Sequence, residues 1–324
     1  MNHLLELRET IAKRLGSTRG MKVDPEQVVM LTGIQQGLNI VSQLLIRKGS
    51  NVVMESPGYK GASYLFENYG AKIIPVALDE DGVIIDKLPD KKIDVAMITP
   101  SRQFPLCATL PIERRKQIIE WSVNTDSYIL EVDYDSDFRY EGSPLRAIRS
   151  FDKDQRVIYV SSFAKSIGPG LRIGYMVVPP TLIEHAKSSK VLLDYGLPWL
   201  DQVILTDFIS SGGFENHINR LRQTYMSRRD CLVESLQNSF GEINLKGLEC
   251  GTHIVWNLPA ESPGAEELQK QLRQKQVGVY TLQHNTIYNW RSFKNNNRII
   301  LLGYAAMTKG NIRKGVSRIA SSVQ

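Results

Sequence analysis

The stretch SSFAKSIGPGLRIGY runs from Ser161 to Tyr175, between two apolar segments, Arg156–Val160 and Ile173–Val178, that read as strands. It carries one lysine, Lys165, flanked by Phe163 and Ile167, and Arg172 follows seven residues later. Apolar neighbours disfavour an ammonium, so Lys165 is expected to lose its proton more easily than a solvated lysine. A neutral lysine amine attacks carbonyls to form a Schiff base. An arginine and a hydroxyl, here Arg172 and Ser162, suit the phosphate of a carbonyl-bearing cofactor such as pyridoxal 5′-phosphate. A lone loop lysine is more often a solvated charge, so the rest of the chain has to carry the assignment.

Upstream, strands and helices alternate. Leu4, Leu7, Ile11 and Leu15 space an amphipathic helix that ends near Gly16. Val28–Leu31 reads as a buried strand, and Thr32-Gly33 opens a helix over Gln35–Leu45. A strand–Gly–helix junction points free N–H groups outward and favours a phosphate. Strands follow at Asn51–Met54, Ala71–Val76, Asp94–Thr99 and Tyr128–Val132, with helices at Lys60–Asn68 and 113–123 between them. Continuous apolar strands alternating with helices predict an α/β fold with a mostly parallel sheet covered on both faces. Ligands in such sheets sit at the carboxyl ends of the strands, where the Gly33, Tyr134 and Lys165 segments all lie. Beyond Pro179-Pro180 the texture changes. Helices over Thr181–Asp194, Trp199–Ser211 and Glu215–Ser239 lead into a shorter α+β tail. We therefore expect a helix at 1–22 packed on a small domain at 206–324, and a large domain at 23–205. Gly142–Ser150 and Asn285–Asn297 read as the mobile loops.

Composition is that of a soluble globular protein: 324 residues, 42% hydrophobic and 23% charged. No apolar run reaches the roughly 18 residues that span a bilayer, and the acid-bearing first helix is not a signal peptide. Cys107, Cys231 and Cys250 are scattered and odd in number, which points to a reducing, cytoplasmic compartment. Neither they nor the five histidines have metal-ligand spacing, so no metal site is expected. The net charge of +6 mildly favours anionic ligands or a nucleic-acid neighbour, but the basic residues read as spread rather than blocked. No nucleic-acid-binding signature stands out.

Six motifs in order carry a resemblance. TGIQQGL (Thr32–Leu38), ESPGYKG (Glu55–Gly61), TPSRQFP (Thr99–Pro105), EVDYDSDFRY (Glu131–Tyr140), the Lys165 loop and LLGYA (Leu301–Ala305) are similar to one module. It is the fold-type-I, aminotransferase-like effector-binding domain of MocR/GabR-type (PdxR/DdlR-like) bacterial transcription regulators. The resemblance implies a pyridoxal phosphate fold with a large mostly parallel sheet domain and a smaller α+β domain. It also implies a homodimer whose effector is a small amine or amino acid. Such regulators reach DNA through a winged-helix domain, which is absent from these residues.

Residue by residue, the resemblance makes Lys165 the Schiff-base lysine and Arg172 and Ser162 phosphate ligands. Gln35 and the Ile34 backbone match the phosphate-binding helix start. Tyr59 matches the aromatic that stacks on the ring, and Tyr134 the hydroxyl that reaches the cofactor's phenolic oxygen. Without the resemblance, Tyr59 and Tyr134 serve as well as core aromatics, Gln35 as a solvated residue and Ser162 as a turn cap.

Two departures stand out. The family's pyridine-nitrogen aspartate is replaced by Val132, and strand alternation turns Glu131 and Asp133 to the other face. A carboxylate-binding arginine is replaced by Leu301, with Arg298 at an odd offset, which leaves Arg102 as a substitute or as an exposed loop charge. The sequence thus favours a sensor that captures an amine but transaminates poorly. The competing readings are a free-standing aminotransferase and a vestigial dimerisation scaffold.

Overall fold

The computed structural model describes residues 4–289 and 296–323. The large domain contains α1 (Leu5–Arg19), β1 (Val28–Leu31), α2 (Ile34–Leu45), β2 (Asn51–Ser56), β3 (Gly58–Tyr59), α3 (Lys60–Asn68), β4 (Lys72–Asp79) and β5 (Gly82–Val83). It continues through β6 (Val95–Ile98), α4 (Ile112–Asn124), β7 (Tyr128–Asp133), β8 (Val157–Ser162), β9 (Gly174–Val177), α5 (Ile183–Asp194) and α6 (Trp199–Ser210). Then come α7 (Gly213–Phe240), β10 (Asn244–Lys246), β11 (His253–Asn257), α8 (Ala265–Gln274), β12 (Tyr280–Thr281), β13 (Ile287–Tyr288), β14 (Ile299–Gly303) and α9 (Lys309–Val323).

Eight strands form one sheet in the order β1-β9-β8-β7-β6-β2-β4-β5. The five central strands β8, β7, β6, β2 and β4 run parallel, and β9 pairs antiparallel with both β8 and β1. The strands are short apolar runs buried on both faces because helices cover both sides. Alternation divides them. Val29 and Leu31 join α2 in one core, while Val28 and Met30 join the core on the opposite face. The fold-type-I expectation is met.

Two domain expectations change. The N-terminal helix does not pack on the small domain. Leu7, Ile11 and Leu15 of α1 insert against Val28, Met30, Tyr159 and Tyr175 of the large sheet and against Leu205 and Phe214. Its polar side is tied to the same domain by Arg8–Glu26 at 2.9 Å, Arg14–Asp137 at 2.7 Å and Arg19–Asp133 at 3.0 Å. The helix also runs past Gly16 to Arg19 and stops where Gly20 takes the left-handed conformation. Nor does the small domain begin at 206. The 28-residue α7 gives Phe214 and Ile218 to the large-domain core and Cys231, Leu232 and Leu236 to the small one. One helix bridges both cores because its apolar stripe is continuous.

The small sheet, β10-β11-β14-β12, is antiparallel throughout, with α7, α8 and α9 packed through its core. Its other face, Val255, Ile299 and Leu301, meets Cys107 of the large domain. The two-residue β13 pairs with β3, bringing Ile287 opposite Tyr59. Of the loops expected to be mobile, 142–150 is pinned at its end, where the Ile148 and Arg149 N–H groups donate to Glu131. Positions 290–295 of the other lie outside the described residues. Among the described residues no helix is long and apolar enough to cross a membrane, and no cluster of three metal-ligating side chains occurs.

Candidate functional site

At the carboxyl ends of the parallel strands lies a cavity of about 440 Å³. Gly33, Ile34, Gln35, Tyr59, Tyr134, Ser162, Lys165 and Arg172 all line it. These residues come from five separate elements and loops, and the sheet brings them together. Arg102 does not join them.

One end of the cavity is built for an anion. Gly33 caps α2 with φ of 122°, and no side chain caps that helix, so its first N–H groups point into the cavity end. A Cβ at Gly33 would stand 3.0 Å from Arg172 Nη2, so the glycine lets the guanidinium lie against the turn. Ser162 ends β8 beside them.

The wall is aromatic. Phe104 stands edge-on to both Tyr59 and Tyr134, with ring centroids 6.3 Å apart in each case. The Tyr59 hydroxyl donates to Gln35 Oε1 at 3.3 Å. The Tyr134 hydroxyl is buried and has no hydrogen-bond partner among the described residues. Burial holds it well above the ordinary phenol range, so it is a donor. An orphaned buried hydroxyl costs stability unless a ligand engages it.

Lys165 is exposed at the mouth. The desolvation expected from its neighbours is not what the fold provides: Phe163 turns into the core beneath, and Ile167 faces solvent. The cavity itself, not the flanking sequence, sets the environment of this lysine.

Val132 and Met97 form a buried apolar floor. The strand alternation expected at Val132 holds. Glu131 accepts from the Ile148 and Arg149 N–H groups at 2.9 Å on the far face. Asp133 accepts from Arg19 Nε at 3.0 Å and from the Tyr159 hydroxyl at 2.6 Å. Among the described residues lining the cavity there is no carboxylate.

Arg102 is corrected. It was expected either to bind a substrate carboxylate or to be an exposed charge, and its place, buried and off the cavity lining, fits neither. It is 1% exposed, and its donors go to the Cys250, His253 and Gly247 carbonyls of the small domain. It also touches the Cys107 and Cys250 sulfurs at 2.9 and 3.2 Å. Its Nε stands 3.5 Å from Asp135 Oδ2, an ion pair without hydrogen-bond geometry. A Cβ on Gly251, at φ of 88°, would overlap the guanidinium, so the glycine admits it. Arg298, at the odd offset, donates to the Ser262 carbonyl at 2.9 Å.

The lining residues not singled out in the sequence are Phe104, Met97, Thr99, Ala164, Thr252, His253 and Thr286. His253 Nε2 lies 3.3 Å from the Pro105 carbonyl. Burial and the charges of Arg102 and Lys165 push its imidazole down to about 3, so it is neutral at pH 7. Phe104 was legible inside TPSRQFP. The small-domain residues arrive by long-range packing and had no local signal.

A model of the aminotransferase class I and II family matches residues 1–319. The HTH-type transcriptional regulator YdeL of Bacillus subtilis, itself uncharacterised, is 31% identical over 98% of this chain and 67% of that protein. The probable rhizopine catabolism regulatory protein MocR of Rhizobium meliloti is 37% identical over 70% of this chain and 46% of its own length. The chain thus spans about two thirds of the one and under half of the other. The Pyrococcus horikoshii kynurenine aminotransferase, solved in complex with PMP, superposes with a TM-score of 0.88 at 28% identity, over 99% of this chain and 80% of that one.

Proposed function

We propose that this chain, which belongs to the aminotransferase class I and II family, is the pyridoxal phosphate-binding, ligand-sensing module of a MocR-type transcription regulator. The observation that carries the reading is one cavity with two halves. A lysine, an arginine and an orphaned tyrosine hydroxyl suit a phosphate-bearing carbonyl cofactor, while the floor beneath is apolar where an acid would be needed. The lining residues fit that group.

When bound, pyridoxal phosphate supplies an electrophilic carbonyl carbon and a ring that withdraws electrons from the amine it carries. Lys165 Nζ would hold that carbon, in the position for which an incoming amine would compete. Arg172, Ser162 and the first N–H groups of α2 would hold the phosphate. Tyr59 and Phe104 would confine the ring, and the Tyr134 hydroxyl would donate to its phenolic oxygen. Val132 and Met97 give the cavity a hydrocarbon floor, and neither side chain would be able to keep a proton on the ring nitrogen. A floor without an acid would leave that withdrawal weak, which favours capture of an amine over transamination.

Thr252, His253 and Thr286 carry the small-domain side of the cavity. An amine effector that binds one arrangement of this wall better than another shifts the population by that difference in affinity. Leu192, Tyr195, Trp199, Leu200 and Ile204 are exposed apolar side chains on the end of α5 and on α6, which supports a homodimer. In this reading the protein works in the cytoplasm and reaches operator DNA through a domain outside these residues. The second reading, a free-standing aminotransferase, is favoured by the likeness to the kynurenine enzyme.

Absorption spectroscopy of the protein titrated with pyridoxal phosphate, and then with a panel of amines and amino acids, separates them. A visible band absent in Lys165→Ala, shifted by one amine and stable without a keto acid, is the expected result. A band that bleaches in turnover with a keto acid makes the protein an aminotransferase. No band at all leaves a scaffold.

A further inference from the structure

Glu267 is the last acidic residue of the chain. Residues 268–324 hold ten Lys and Arg and no Asp or Glu, whereas 1–267 hold 30 basic and 34 acidic residues. The charges that read as spread along the sequence are therefore segregated.

The fold collects them. On α9, Ile312, Val316 and Ile319 point into the small-domain core, and Lys309, Arg313, Lys314 and Arg318 face solvent. On α8, Leu268 and Leu272 are buried, while Lys270 and Arg273 are exposed. The two helices are tied into one surface: Lys275 Nζ donates to the Ser321 carbonyl at 2.8 Å, and Arg318 Nη1 donates to the Lys275 carbonyl at 2.9 Å. The acids on the packed elements include Glu266 and Glu267 in the first turn of α8 and Asp230 and Glu234 on α7; Asp230 already pairs with Arg229 at 2.7 Å. Among the described residues, none of the α8 and α9 cations makes an ion pair.

This arrangement works against the helix that carries it. Lys309 with Arg313, and Lys314 with Arg318, are like charges four residues apart, which destabilise a helix. Lys309 also opens α9, where the macrodipole disfavours a cation. A polyanion along this face would relieve both effects.

We propose that the α8–α9 face binds the phosphate backbone of duplex DNA. This goes beyond the reading above, in which DNA contact belongs to a separate domain. Exposed lysines and arginines with no acid among them on α9 suit sequence-independent phosphate contacts. An anionic membrane fits less well, because the apolar sides of both helices are buried in the core and leave nothing to insert.

The test is fluorescence anisotropy of a labelled mixed-sequence duplex of about 30 base pairs over a salt series. Three proteins are compared: the chain, Lys309→Gln/Arg313→Gln/Lys314→Gln, and a charge-matched control, Lys48→Gln/Lys72→Gln/Lys91→Gln, on exposed large-domain lysines. The expected result is salt-sensitive binding by the chain. The α9 triple variant should bind at least about tenfold more weakly at low salt, with the slope of log K against log salt reduced by about 2 to 3. The control should keep the slope within about one. Thermal unfolding should show the α9 variant no less stable, since it loses only like-charge contacts. Should it nonetheless fold poorly, Lys270→Gln/Arg273→Gln reads the same surface from α8. No binding at low salt, equal losses in variant and control, or binding to phosphatidylserine vesicles without binding to duplex would each overturn the proposal.

Discussion

The two faces of β7 differ sharply in how their polar groups are paired. On the far face, both oxygens of Glu131 accept backbone N–H groups, and Asp133 Oδ2 takes Arg19 and the Tyr159 hydroxyl, while Asp133 Oδ1 has no partner among the described residues. One turn further on, Asp137 is held by Arg14 and Ser166. On the cavity face, Val132 offers no polar side-chain atom, and just beyond the strand the Tyr134 hydroxyl meets none among the described residues. Paired groups hold the scaffold together, whereas an unpaired buried group costs stability that a ligand reaching it can recover, and of the two orphans only the Tyr134 hydroxyl lines the cavity. The contrast separates scaffold acids from ligand-directed residues within a few positions of one strand.

Breaking the far face should have the largest effect. Glu131→Ala strands two buried N–H donors and should cost about 3 kcal/mol in denaturant unfolding at pH 5. Burial pushes the Glu131 carboxyl up to about 7, against the pull of Arg115. A raised acid contributes most below its unfolded value and loses that contribution as pH rises through the folded one. The gap between wild type and variant should therefore narrow between pH 5 and 8; a gap that widens over this window would count against the assignment.

Asp137 should behave in the opposite sense. Burial opposes its ionisation, but Arg14 and Arg19 prevail and hold it down to about 2. Its contribution is present above an ordinary aspartate value and lost as pH falls through about 2. Asp137→Asn should cost about 2 kcal/mol at pH 6 and nearly nothing at pH 2, read by unfolding at each pH.

The cavity face should respond in ligand chemistry rather than in folding. Val132→Asp places an acid on the floor, and we expect amino-group transfer from amino acids to accelerate at least about tenfold, roughly 1.4 kcal/mol of barrier. An unchanged single-turnover rate would mean the floor is not what limits the reaction. Tyr134→Phe is the mildest change. It removes an orphan, so the unliganded protein should keep its stability within about 0.5 kcal/mol. Pyridoxal phosphate affinity should nonetheless fall several-fold, measured by absorbance titration. A clear loss of stability without cofactor would place that hydroxyl with the scaffold.

Much of this was legible in the sequence. Helix α3 begins and ends at the residues its periodicity gave, and β1 likewise. The short β3, β5, β10 and β13 were not seen, because two or three residues carry no measurable period and exist only through pairing. Four of the six motifs located the seven cavity residues assigned to the cofactor, since each sits in a local turn whose chemistry is written in adjacent letters. The eighth assignment, Arg102, failed because its small-domain partners lie about 150 positions away.

By itself the sequence determined what depends on local geometry. Alternation placed Val132 on the opposite face from its acidic neighbours, and glycine at 33 left a helix start open to an anion. It also held, as simple arithmetic, the absence of any acid after Glu267. Tertiary structure alone decided what depends on distant segments meeting. It docked α1 on the large sheet, buried Arg102 among small-domain carbonyls, left Lys165 exposed and gathered scattered cations onto one face of α8 and α9. The physical reason is range: backbone periodicity acts over a few residues, whereas desolvation and pairing are settled by whichever surfaces the folded chain presses together.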